Sequence, residues 1–123
     1  MANVLLYEKG ILFAVRCVSL YKTLLDERKE FILSKQMVRS GTSIGANISE
    51  SNNAQSRADY VSKLSIALKE ADETHYWIDL LQRTSYINRT EYESINNDLK
   101  ELIAMLTTLV KKYKTTNQTQ KEQ

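Results

Sequence analysis

Apolar residues recur at three- and four-residue steps along most of the chain, the rhythm of helices that each bury a face. Over about 3–25 two such stripes run along one predicted helix. One is Ile11, Ala14, Val15, Val18, Tyr21 and Leu25; the other is Leu6, Phe13, Cys17, Leu20 and Leu24. Two residues turn a helix by about 200°, so the stripes lie nearly opposite each other. A helix apolar around most of its girth is either central in its domain or shared with another subunit. The first stripe is therefore assigned to the core, and Leu6, Phe13, Cys17, Leu20 and Leu24 to an oligomer interface.

A second helix is expected over about 27–53, with Asp26 as N-cap and Glu27 and Glu30 in its first turn. Its inward face reads Phe31, Ser34, Met37, Val38, Gly41, Ile44, Gly45 and Ile48. A turn at "SNNAQS" follows, since Ser and Asn compete for backbone hydrogen bonds. The third helix, about 57–84, opens on a Ser56/Asp59 capping box and carries Tyr60, Leu64, Ala67, Ala71, Thr74, Ile78 and Leu81 in heptad spacing. The fourth, about 90–114, opens on Thr90/Glu93 and carries Tyr92, Ile95, Leu99, Leu102, Leu106, Leu109 and Tyr113. Residues 115–123 form a polar tail with nothing to bury, expected to fray. Short connections imply antiparallel neighbours, so the predicted fold class is all-α, an up-down-up-down four-helix bundle over 1–114.

Composition agrees with this pattern: the 123 residues include no proline and only three glycines. A formal charge of +2 neither demands nor forbids a nucleic-acid partner. The one cysteine, Cys17, lies in an apolar segment and reads as a buried free thiol. The first residues lack a basic n-region and are interrupted by Glu8 and Lys9. Neither a signal peptide nor a membrane span is expected, and the chain reads as cytoplasmic. The sequons at Asn47, Asn88 and Asn117 are then chance matches.

The stretch "RSGTSIGANISESNNAQSR" holds two of the three glycines. It lacks the lysine and the preceding strand of a phosphate loop, and its Gly-x-x-x-Gly spacing matches neither nucleotide fingerprint. Glycines four apart share a helix face and let a neighbour approach closely. With a hairpin turning near residue 55, positions summing to about 110 are level, which sets Gly41 and Gly45 against the third helix. The same register brings Arg39 near Glu70, Asp72 and Glu73, and sets Asn47 and Glu50 level with Lys63 and Tyr60. These residues are read as a structural polar network rather than a ligand site.

Asp72, His75 and Asp79 have metal-ligand spacing along a helix, but His75 is the only histidine and a bundle di-metal centre needs two Glu-x-x-His units. No metal site and no cofactor is assigned. No hydrolase triad is assigned either, since the histidine has no designated nucleophile or oxyanion loop. Lys111, Lys112 and Lys114 are the candidate nucleic-acid contacts; lysines there also suit a helix C-terminus.

"VRSGTSIGANISES" with "SRADYVSKLSIALKEADETHYWIDLL" resembles the bacterial four-helix-bundle proteins of the 23S rRNA intervening-sequence family. The pattern is carried by Arg39, Ser43, Ile44, Asn47, Ile48 and Glu50, followed by 67–71 of the next helix. The resemblance implies a left-handed bundle and a ring-shaped homopentamer. It also implies an RNA connection, because related proteins include the accessory variability protein of diversity-generating retroelements, which is thought to bind reverse transcriptase and RNA. No catalysis is implied. The expected function is a non-enzymatic oligomeric scaffold or adaptor with an RNA or reverse-transcriptase-like partner; the alternative is a small metal- or ligand-binding enzyme of the bundle core.

Overall fold

Four helices account for nearly all of the backbone: α1 (Val4–Asp26), α2 (Leu33–Ser51), α3 (Arg57–Arg83) and α4 (Arg89–Glu122). They come from a computed structural model that describes the backbone of residues 2–122 and the side chains through Lys114. Each helix packs on the next in sequence, and α1 also packs on α4, closing a four-helix bundle. The core is a single cluster running from Leu6 through Ile44, Tyr60, Leu64 and Ile78 to Leu106.

Helix starts follow local chemistry. The Asn3 side chain accepts the Leu6 N–H at 2.9 Å, and Asn52 in turn accepts the Asn3 N–H at 3.1 Å, tying the start of α1 to the end of α2. At α3, Ser56 Oγ accepts the Asp59 N–H and Asp59 accepts the Gln55 N–H, a capping box that satisfies donors no helical carbonyl can reach. The box at α4 is Asn88 with Glu91, at 2.8 and 2.9 Å, two residues before the expected Thr90/Glu93. Asparagine caps at least as well as threonine, so the earlier position prevails.

The first connection differs most from expectation. Asp26 ends α1 instead of capping α2, and α2 begins at Leu33 rather than near residue 27. Lys29 takes a left-handed conformation, φ 54°, that reverses the chain. Glu30 then folds its carboxylate over the start of α2, accepting the N–H groups of Ile32, Leu33 and Ser34 at 3.1, 2.9 and 2.6 Å. Phe31, expected inward, is exposed because it sits in this connection rather than on a helix face. Ser85 takes the matching left-handed position after α3, where the Tyr86 N–H reaches back to Leu81 O at 2.9 Å. Arg28 braces the two connections, donating to Tyr86 O at 2.6 Å and pairing with Glu91 at 2.7 Å. Helix α4 continues to Glu122 where a frayed tail was expected from residue 115. No glycine or proline stops it there; the tail's side chains lie outside the described residues.

Candidate functional site

The second half of α2 is helical throughout, so its glycines act as missing side chains, and they face α1 rather than α3. A Cβ on Gly45 would stand 3.2 Å from Gly10 O, and one on Gly10 would stand 3.3 Å from Gly45 Cα. A Cβ on Gly41 would collide with Cys17 Sγ. The crossing of α1 and α2 is thus built from the chain's three glycines and its one cysteine. Burial pushes the Cys17 thiol up to about 12, with Arg16 opposing, so it stays protonated.

This crossing inverts the assignment of α1's two stripes. Leu6, Phe13, Cys17 and Leu24 are at most 2 % exposed and Leu20 packs against them, so these residues form the domain core and cannot be an oligomer interface. The opposite side faces outward: Val4, Leu5, Ile11, Leu12, Val15 and Val18 are 37–75 % exposed. Two signals in the sequence point this way. Gly10 shares a stripe with Phe13 and Cys17, where a close neighbour needs it, whereas Glu8 and Lys22 interrupt the stripe of Ile11, Val15 and Val18. Beside that outer stripe lies a groove of about 260 Å³ between α1 and α2, lined by Tyr7, Ile11, Ala14, Thr42, Gly45, Ala46 and Ser49. It is open because Gly45 and Ala46 put almost nothing into it.

The seam between α2 and α3 is polar and shallow. Arg39 bonds Glu73 at 2.5 Å and lies 3.7 Å from Glu70; Glu50 pairs with Lys63 at 2.9 Å. Beneath them Thr74 donates to Ser40 at 2.9 Å, fully buried. Ser43 donates to Arg39 O, and the Asn47 amide donates to Ser43 O, so these two brace their own helix rather than a neighbour. Ile44 and Ile48 are core. The ion pairs of Arg39 across the seam are with Glu70 and Glu73 rather than Asp72. Burial and the like charge of Glu73 raise the Glu70 carboxyl above its ordinary value against the pull of Arg39, and its buried Oε2 has no hydrogen-bond partner. Glu73 is held low, chiefly by its bond from Arg39.

The other candidates stay apart. His75 Nε2 lies 3.5 Å from Tyr92 Oη, and Asp79 is engaged by Arg83. Among the described residues no group of three or more His, Cys, Asp or Glu side chains could hold a metal ion. Lys111, Lys112 and Lys114 are exposed near the end of the described side chains, with Lys112 stacked 5.5 Å over the Tyr113 ring. No helix among the described residues is long and apolar enough to cross a membrane.

The family model described as 23S rRNA-intervening sequence protein matches residues 2–108. The chain belongs to that family. The crystal structure of a protein of unknown function from the S23 ribosomal protein family, from Bacteroides thetaiotaomicron VPI-5482, superposes with a TM-score of 0.88 at 58 % identity. The match covers 90 % of this chain and 99 % of that one. No functionally curated protein matches. That crystal structure therefore shares the four-helix bundle described here.

Proposed function

We propose that this family member is a non-enzymatic, self-associating scaffold or adaptor that works beside RNA or an RNA-processing protein. The observation that carries the reading is the outer face of α1. Six large apolar side chains, Val4, Leu5, Ile11, Leu12, Val15 and Val18, stand in solvent on a helix whose other side already fills the core. A contiguous apolar surface of this kind marks an interaction site. The ribosomal RNA connection is drawn from the family's name. The bundle is read as left-handed and up-down-up-down. Interhelical pairs support the alternation, because Lys9 meets Glu101 and Arg16 meets Asp98, rising numbers on α1 against falling numbers on α4. The homopentameric ring follows from the family resemblance, and the lone free thiol supports a cytoplasmic setting. A bundle-core enzyme is favoured by no specific observation.

Light scattering at micromolar concentration is expected to give several times the monomer mass; a monomer would refute self-association. Purification from the native host, with sequencing of the co-purifying RNA and identification of the co-purifying proteins, is expected to recover an RNA or an RNA-processing protein such as a reverse transcriptase. Recovery of the protein alone would refute the adaptor role.

A further inference from the structure

Resting on the RNA side of that reading, the structure assigns the contact with an RNA strand to one end of the bundle, where Arg57, Lys111 and Lys114 take backbone phosphates. The start of α3 packs there beside residues 111–114 of α4. Arg57 carries the inference. Of the chain's six arginines, Arg16, Arg28, Arg39, Arg83 and Arg89 each pair with a carboxylate. The Arg57 guanidinium makes no ion pair and no hydrogen bond among the described residues. It lies instead over the Tyr113 ring, 5.5 Å from the centroid. Tyr60 meets that ring edge-on with centroids 5.1 Å apart and is itself buried, so the platform is anchored in the core. A guanidinium laid on a ring keeps its N–H groups at the edge, and a planar fork held in this way matches the oxygens of a phosphate.

The surroundings have one sign. Lys111 and Lys114 are exposed, Lys112 lies over the same Tyr113 ring, and α4 has no acidic residue between Glu101 and Lys114. The formal charge of +2 is an average over the whole chain and conceals this. On α2 and α3, Glu50 pairs with Lys63 and Asp59 accepts the Gln55 N–H. Glu8 on α1 has no ion pair among the described residues. Because Lys9 meets Glu101, Glu8 is level with about residue 102, and Lys111 stands about nine residues, or ~13 Å, further along α4. That exceeds the ~10 Å over which exposed charges act at 0.1 M salt. The neighbouring turn favours a nucleic-acid strand over an anionic lipid surface. It exposes Asn53 and Gln55, whose amides suit sugar and base edges. The exposed apolar residues at this end, Val4 and Leu5, stand on α1, diagonal to α3 in the bundle.

Fluorescence anisotropy with a labelled single-stranded RNA of about 20 nucleotides, titrated across salt concentrations, tests the site. Arg57→Gln is expected to lower the slope of log K against log salt by about 0.7 for each copy the strand touches, which is about fivefold in affinity per decade of salt. Lys111→Gln combined with Lys114→Gln is expected to lower it by about twice as much. Tyr113→Phe keeps the platform and should bind as wild type does, whereas Tyr113→Leu should weaken binding; if Tyr113→Leu unfolds, the arginine and lysine variants decide alone. Arg83→Gln, which removes a cation already paired with Asp79, should leave binding unchanged. RNA binding that Arg57→Gln and the lysine pair both leave intact overturns this site while the RNA reading stands. A wild-type chain that binds no RNA at low salt overturns the site too, and leaves the adaptor role to the proteins that co-purify from the host. Binding to vesicles of anionic lipid but not to RNA, lost in Arg57→Gln, would give these cations to a membrane surface and overturn the assignment.

Discussion

Gly41→Ala sets two effects of known size against each other. In mid-helix, alanine is favoured over glycine by about 1 kcal/mol, so a loosely packed site would be stabilised. Here the new methyl would overlap Cys17 Sγ, stand 3.2 Å from Cys17 Cβ and 3.7 Å from Thr74 Cγ2. Cys17 is fully buried, so its sulfur can turn away only into occupied space. Overpacking of this kind costs about 1–3 kcal/mol. The expected net loss is ~1 kcal/mol, or about 4 °C in Tm for a chain of this size. Guanidinium denaturation at fixed protein concentration measures it. The diagnostic step is the double-mutant cycle with Cys17→Ala, which removes the sulfur and leaves only the milder Cβ contact. The pair is expected to be more stable than the sum of the single changes by ~1 kcal/mol. A Gly41→Ala protein as stable as wild type, or strictly additive effects, would refute the close crossing of α1 and α2.

Glu30→Gln is expected to cost about 1 kcal/mol at pH 7, the usual worth of a cap. Burial raises this carboxyl, but three backbone N–H groups and Ser34 together hold it below its ordinary 4.5. Its contribution is therefore present above that value and lost as pH falls through the lower folded value, so the two melting curves should converge in acid; a constant gap from pH 7 to pH 3 would contradict the cap. Glu70→Gln has the opposite sign. A carboxyl raised in the folded state contributes most below its unfolded pKa and loses that contribution as pH rises, so the variant should be more stable than wild type at pH 7.5, by about 1 kcal/mol, and equal to it in acid. A less stable variant at pH 7.5 would show that the charged form is the better fit. Arg39→Ala should cost under about 1 kcal/mol, because the side chain is half exposed; a loss of several would mean its partners are sealed from water. Cys17 should resist a disulfide reagent at pH 8 in the folded protein and react after denaturation; prompt native labelling would place the thiol at the surface.

The heptad rhythm of Tyr60 through Leu81 and of Ile95 through Leu106 is a local record of burial, and the structure buries those positions. The Ser56 box was legible for the same reason: all of its atoms lie within four residues. The Glu30 cap was harder to see, because it depends on a left-handed Lys29 that no residue preference announces. At the seam, the sequence brought Arg39 near Glu73 by counting back from a turn. It could not say that the pair would be half in water, since exposure depends on how closely two helices approach.

The stripes of α1 mark the boundary. From periodicity alone the two faces were equivalent, each apolar and each helical, and the wrong one was given to the core. What separated them was contact between segments far apart in the chain: Gly10 against Gly45, and Cys17 against the space left by Gly41. The sequence by itself determined that there would be four helices, where most of them lie, and that α1 has more apolar surface than one core can use. Only the tertiary structure decided which face is left over, because a glycine's value as a missing side chain depends on the backbone that comes to fill its place.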